Sequence, residues 1–90
     1  MVQHVATLRG AMSIPAWLRG VMKERGYTGV RQAARELGVE PSQFDRWLNG
    51  VTSPSIASCR HLSEVTGEPL NRLILMAAIG EDGEPGAGAH

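Results

Sequence analysis

The segment from residue 30 to residue 49, VRQAARELGVEPSQFDRWLN, constrains the fold of this chain more than any other. Its spacing predicts a helix, a tight turn and a second helix. Gly38 follows the first helix where the backbone takes a left-handed conformation, which costs glycine little free energy. Pro41 suits the first turn of the second helix, because that position tolerates a missing N–H. The apolar residues of this second helix lie three and four residues apart and predict one buried face: Phe44, Trp47 and Leu48.

These spacings resemble the helix-turn-helix of the lambda-repressor/Cro-like family, which is also called the XRE family. The positions that carry the resemblance are Ala34, Gly38, Val39, Phe44, Trp47 and the closing Asn49-Gly50. The resemblance covers residues 14–79 and implies an all-α fold, a compact bundle of about five helices that contains a helix-turn-helix. It further implies a sequence-specific DNA-binding transcriptional regulator that acts as a repressor. One position departs from the family, because Val30 stands where the family often has a glutamine that contacts a phosphate.

The composition is that of one small globular domain. Ninety residues leave no room for a second core, and the four aromatic residues are too few to favour a sheet over a helical bundle. No run approaches the roughly 18 apolar residues of a bilayer-spanning helix, and no signal peptide is recognisable. The single cysteine, Cys59, excludes an internal disulfide and indicates a reducing cytoplasm. Catalytic and metal-ligand spacings are missing, so we expect no enzyme, no cofactor and no metal site.

We expect three regions along the chain. Residues 1–12 form a flexible N-terminal extension, and residues 13–80 form the helix-turn-helix DNA-binding domain. Residues 81–90 form a disordered tail, because they are acidic and glycine-rich and contain no large apolar side chain to bury.

Capping residues predict where the other helices of the domain begin and end. Ser13 caps the first helix and Gly26 ends it. Ser53 and Pro54 form another pair of cap and first helical residue, so they predict a helix that runs from residue 54 to residue 65. The spacing of its apolar residues places Ile56 on the buried face of that helix.

The charges are distributed unevenly, although the formal net charge is zero. Residues 1–60 carry eight basic and four acidic side chains, whereas residues 61–90 carry one basic and five acidic side chains. A basic front half attracts the phosphates of a nucleic acid, so this asymmetry favours double-stranded DNA as a partner.

The resemblance places the first turn of the second helix of the motif against base edges in the DNA major groove. The base-contact residues that follow by position are Pro41, Ser42, Gln43 and Arg46. Arg46 suits guanine, because its guanidinium can donate two parallel hydrogen bonds to O6 and N7, and Gln43 suits adenine by the same geometry. The alternative is an ordinary solvated helix face. Phe44 and Trp47 could stack on bases, but their spacing favours burial in the core.

A second set of side chains is expected at the DNA backbone: Arg31, Arg35, Asn49 and Thr52. For the two arginines, an ordinary solvated surface position is an equal alternative. Arg31 or Gln32 could also supply the phosphate contact that Val30 cannot make.

The last helix is apolar over more of its circumference than a single core-facing stripe requires. Such a surplus usually marks a partner, so we expect a homodimer interface made of Leu70, Leu73, Ile74, Met76 and Ala77. The alternative is that this helix folds deeper into its own core. The rival hypothesis for function is a protein-interaction module or an antitoxin on the same fold, with a protein partner and weak or no DNA binding. Neither hypothesis involves a membrane.

Overall fold

Five α-helices make up the part of the chain that the computed structural model describes, residues 12–82. They are α1 (Ile14–Arg25), α2 (Val30–Leu37), α3 (Pro41–Leu48), α4 (Ile56–Thr66) and α5 (Leu70–Asp82). No strand occurs in that range, so the predicted all-α, five-helix fold is confirmed.

Most of the predicted N-terminal extension and tail lies outside the described residues, which exclude residues 1–11 and 83–90. Residues 81 and 82 belong to α5, so this helix continues past the predicted domain edge at residue 80. The longest helix in the described range is α5 with 13 residues, and none there is long and apolar enough to cross a bilayer.

Local capping groups set the ends of α1 as predicted. Ser13 Oγ accepts a hydrogen bond from the Ala16 N–H at 3.3 Å. It thereby satisfies one of the N–H groups in the first turn that have no acceptor within the helix. Gly26 ends the helix in the left-handed conformation, with φ at 72°. The buried face between these ends comprises Ile14, Trp17, Leu18 and Val21.

A link of three residues joins α2 to α3, at the place where the sequence predicts a turn. Gly38 has φ at 71°, and the Val39 N–H donates to Ala34 O at 2.8 Å across the turn. The side chain of Val39 packs against the core at this corner. The turn therefore folds α3 back against α2, and the two helices are in contact.

The prediction for the start of α4 is wrong by two residues. The helix begins at Ile56 and not at Pro54, and its N-cap is Ser55, whose Oγ accepts from the Ser58 N–H at 3.1 Å. Ser53, the predicted cap, instead donates to a backbone carbonyl of α5 at 3.4 Å. Ile56 is the first residue of the helix, and its side chain is 60% exposed, so it does not join the buried face formed by Cys59 and Leu62.

The core connects all five helices. α3 packs on α1 and α2, and α5 packs on α4 and α1. The largest fully buried side chains are Leu18, Leu37, Phe44, Trp47, Cys59, Leu62, Leu73 and Met76. They form one continuous cluster, so the orientation of α3 is fixed by the whole bundle and not by its link to α2 alone.

The apolar face of α5 does not match the predicted dimer interface. Leu73 is 0% exposed, Met76 1% and Ala77 8%, because α5 packs against both α1 and α4. Leu70 and Ile74 are half-buried against the same core. The assignment of Leu73, Met76 and Ala77 to a dimer surface is therefore corrected, since these side chains fill the core of their own chain.

Replacing Gly38 with alanine tests the turn between α2 and α3. Gly38→Ala should destabilise the protein by about 1–2 kcal/mol, because a Cβ disfavours the left-handed backbone. That Cβ would also lie 3.0 Å from His61 Nε2. Gly20→Ala on α1 is the matched control: its Cβ meets nothing within 4 Å, so the better helix former should stabilise the protein by about 0.5–1 kcal/mol. Urea unfolding measures both variants, and equal effects at the two positions would contradict this account of the turn.

Candidate nucleic-acid interface

α3 has one buried face and one exposed face. Phe44 is 0% exposed and Trp47 2%, which confirms their predicted burial and leaves neither ring available for stacking on bases. The other side chains before Leu48 are all exposed: Pro41, Ser42, Gln43, Asp45 and Arg46. We call these five residues the outer face of α3. It contains all four of the predicted base-contact residues.

Side chains from α4 and α1 donate hydrogen bonds to the C-termini of α2 and α3. His61 on α4 donates from Nε2 to Leu37 O at the C-terminus of α2, over 2.8 Å. The carbonyl can only accept, so Nε2 carries the proton. Arg19 on α1 donates from Nη2 to Leu48 O at the C-terminus of α3, over 3.5 Å. Each bond pairs a carbonyl that has no partner within its own helix; the first ties α2 to α4, and the longer, exposed second bond ties α3 to α1.

Glu40 caps the N-terminus of α3, a role that sequence reasoning missed. Its Oε1 accepts from the Ser42 hydroxyl at 2.6 Å and from the Gln43 N–H at 3.2 Å. The Ser42 hydroxyl and then the Gln43 N–H lower the pKa of the Glu40 carboxyl, because both bonds favour its charged form. Glutamate is not a preferred N-cap. The available signal was its place immediately before Pro41, the first helical residue.

Asn49 and Asp45 close the C-terminus of α3. Asn49 Nδ2 donates to Asp45 O at 2.9 Å and to Asp45 Oδ1 at 3.2 Å, and the Asn49 N–H donates to Asp45 O at 3.0 Å. These bonds engage both donor groups of Asn49, so its predicted phosphate contact would require breaking them. Thr52, the other predicted contact beyond α3, is exposed in the loop that leads to α4.

The predicted phosphate-contact arginines lie on α2. Arg31 and Arg35 are both exposed, and their spacing of four residues puts them on one face of that helix. Within residues 12–82 the one ion pair joins Arg72 Nε to Glu68 Oε2, at 3.2 Å. In this part of the chain, therefore, neither these arginines nor Arg46 is paired with a carboxylate.

Val30 is the first residue of α2 and stands where the resemblance predicts a glutamine. Val30 is half-buried and packs against the core. Gln32 bonds back to the link before the helix, because its Oε1 accepts from the Thr28 N–H at 2.8 Å and from the Thr28 hydroxyl at 3.0 Å. Of the two proposed substitutes for a phosphate contact, the Gln32 side-chain oxygen is thus engaged by Thr28, whereas Arg31 is exposed.

Metal-ligating groups are dispersed in the described part of the chain. No three His, Cys, Asp or Glu side chains of residues 12–82 are grouped so that they could hold a metal ion. Cys59 is buried, its Sγ lies 3.9 Å from Pro54 O, and burial raises the pKa of its thiol. A protonated, enclosed thiol is a weak nucleophile, so Cys59 serves as a core residue.

The cap at Glu40 should make stability depend on pH in the acid range. The pKa of Glu40 is lowered by folding, so its contribution is present above the pKa of the unfolded state and is lost as the pH falls through the folded value. Unfolding by urea between about pH 6 and pH 3 should therefore show a smaller acid loss for Glu40→Gln than for the wild type. Glu64→Gln is the control, because it removes an exposed carboxylate of α4 without removing a cap. Identical pH profiles for the wild type and Glu40→Gln would contradict the capping role.

Comparison with known proteins gives no match, whether with protein-family models, with curated proteins or with solved structures. What this protein does must therefore follow from its own side chains and from the geometry in which the fold holds them. The exposed residues that bear on function are those of the outer face of α3, together with Arg31 and Arg35 of α2.

Proposed function

We propose that this protein is a sequence-specific DNA-binding transcriptional regulator, a repressor that reads the major groove of double-stranded DNA with α3 and acts as a homodimer. One observation supports this most. The inner face of α3 is fixed in the core by Phe44 and Trp47, while every residue of its outer face is exposed. A short helix held in this way fits the width of a major groove and can enter it without losing its own packing.

The outer face has the chemistry needed to distinguish bases. Arg46 presents a planar guanidinium that matches O6 and N7 of guanine, and Gln43 presents an amide that matches N6 and N7 of adenine. Pro41 offers only apolar contact, for example to a thymine methyl group. The same groups on a mobile helix would pay a larger entropy cost on binding, so the fixed position of α3 favours specificity.

Contacts to phosphates would come from Arg31, Arg35 and Thr52, which are all exposed. The attraction is moderate, because residues 30–49 carry three arginines and three carboxylates. One copy would therefore bind weakly, and a second copy on an adjacent half-site would supply the missing affinity. Two-fold pairing would have to place the two recognition helices about 34 Å apart, one turn of DNA, to occupy both half-sites.

The dimer surface that we propose lies on α5 around Leu75. This side chain is 54% exposed, and Leu70 and Ile74 on the same helix are half-buried. They replace Leu73, Met76 and Ala77 as the residues available to a second copy.

The equal numbers of arginines and carboxylates in residues 30–49 favour a second candidate function. On that alternative the protein is an interaction module or an antitoxin on the same fold, with weak or no DNA binding of its own. The two functions differ in a simple respect, since only the first gives salt-dependent binding to duplex DNA.

Two arginine substitutions should separate base reading from phosphate contact. Arg46→Ala should cost about 1–3 kcal/mol on the preferred sequence and relax preference at one base pair of each half-site. Arg31→Ala should weaken all sequences alike and flatten the slope of log K against log salt by about one unit. Fluorescence anisotropy with labelled duplexes at several salt concentrations measures both effects.

Lys23→Ala is the control for loss of a positive charge, because Lys23 lies on α1 beside Glu24, Glu68 and Arg72 and outside the proposed interface. It should leave the preferred sequence unchanged. An Arg46→Ala protein that kept both the affinity and the consensus of the wild type would contradict the proposed recognition helix.

The proposed dimer surface predicts a change in sedimentation. Leu75→Lys should convert the free protein from dimer to monomer at micromolar concentration, because a charge replaces an exposed apolar side chain at the contact. Val51→Lys is the matched control: Val51 is 67% exposed but lies in the loop after α3. Met76→Lys is unsuitable, since it would place a charge in the core. A wild-type monomer that also binds DNA as a single copy would overturn the dimer.

A further inference from the structure

Glu40, the residue immediately before α3, forms a bonded pair with Ser42 of the outer face, and the predicted base-contact set includes only Ser42. The Ser42 hydroxyl donates to Glu40 Oε1 at 2.6 Å, and the same oxygen accepts from the Gln43 N–H at 3.2 Å. Both side chains are exposed. The two side-chain hydrogen bonds of the Glu40 carboxylate within residues 12–82 both end on Oε1, and neither ends on Oε2. The second carboxylate oxygen is therefore available to a group outside the protein.

The bond between the two side chains decides which hydrogen-bonding groups point outwards. A serine hydroxyl has one proton and two lone pairs, and an ionised carboxylate has only lone pairs. Because Ser42 donates its only hydroxyl proton to Glu40, both side chains present only acceptors to solvent. Ser42 alone could donate or accept and would select bases weakly, whereas the Glu40–Ser42 pair is selective for donors.

Arg46 supplies the complementary group on the same side of the molecule. It lies four residues after Ser42 on α3, so the two exposed side chains share one helix face, and its positive charge also helps to lower the pKa of the Glu40 carboxyl, behind the bonds from Ser42 and Gln43. The outer face thus combines acceptors at the first turn with a guanidinium that can only donate.

The edge of a G·C pair in the major groove has the matching pattern. Guanine presents two acceptors, N7 and O6, and cytosine presents one donor, the N4 amino group. Adenine also offers an amino donor, but its N7 acceptor lies beside that donor and would repel a carboxylate. The N4 amino group of cytosine has an acceptor on one side only, O6 of the paired guanine, whereas N6 of adenine lies between its own N7 and thymine O4.

We infer that Glu40 and Ser42 act as a specificity-determining pair that accepts from the N4 amino group of cytosine, at or next to the guanine that Arg46 reads. This inference rests on the proposed DNA-binding function and names the sequence class that α3 selects. It also assigns Glu40 a second role besides its capping of the helix.

Two substitutions separate base reading from capping. Aspartate is a preferred N-cap and keeps the negative charge, but its carboxylate is one methylene shorter and does not reach the base. Glutamine keeps an oxygen for the cap but adds an amide donor and removes the charge. Neither change removes the cap acceptor, so loss of folding is not expected, and thermal melting of each variant verifies this.

The experiment is affinity selection of the full chain on a random-sequence DNA duplex, followed by sequencing. The wild type should enrich cytosine at one position beside or within the guanine contact, by about tenfold over the other bases. Glu40→Asp should reduce this preference to about twofold or less, and Glu40→Gln should shift it towards bases with acceptors. Glu64→Gln removes a carboxylate from α4 and should leave the consensus unchanged.

Three results would overturn the inference, and they can be told apart. If the wild type enriches no sequence, both the inference and the proposed function fail. If it enriches a consensus without that cytosine, or if Glu40→Asp keeps the cytosine preference of the wild type, only the inference fails and the DNA-binding function stands.

Discussion

The burial of Phe44 and Trp47 is the interaction on which the rest of this structure depends. These two rings lie in the centre of a core to which all five helices contribute, and they are almost fully enclosed. Truncating such a side chain to alanine typically costs about 3–5 kcal/mol, a large fraction of the stability of a small domain. Both rings belong to α3, so the same contacts that stabilise the fold also determine which face of α3 meets solvent.

Hydrogen bonds at the ends of α2 and α3 add to this packing and further restrict the positions of the two helices. His61 and Arg19 hold the C-termini of α2 and α3, while Glu40 caps the start of α3. Gly38 has no Cβ and so leaves room for the His61 ring, since a Cβ there would lie 3.0 Å from Nε2. The outer face of α3 is therefore a preorganised surface, which reduces the entropy cost of binding.

The sequence predicts the ends of α1, α2 and α3 well, because each has strong local signals such as Ser13 and Gly38. It fails at α4, where Ser53 and Ser55 both suit the cap position and Ser55 caps instead of Ser53. It also fails on α5, since a periodic pattern reveals how much of a helix is apolar but not how many neighbours will cover it. Within the candidate site, exposure of Arg46 follows from spacing, but the bonds of Glu40 and Asn49 depend on side-chain geometry that no pattern encodes.

The most direct test of the central claim, that the outer face of α3 binds DNA, is an NMR titration of the isotope-labelled full chain with duplex DNA at low salt. Non-specific contacts suffice for this measurement, because phosphate attraction does not require the correct sequence. The account predicts shifts of amide signals in residues 40–52 and on the Arg31 face of α2, while signals from the exposed side of α1 stay in place. No shifts, or shifts confined to α1 and α5, would contradict it.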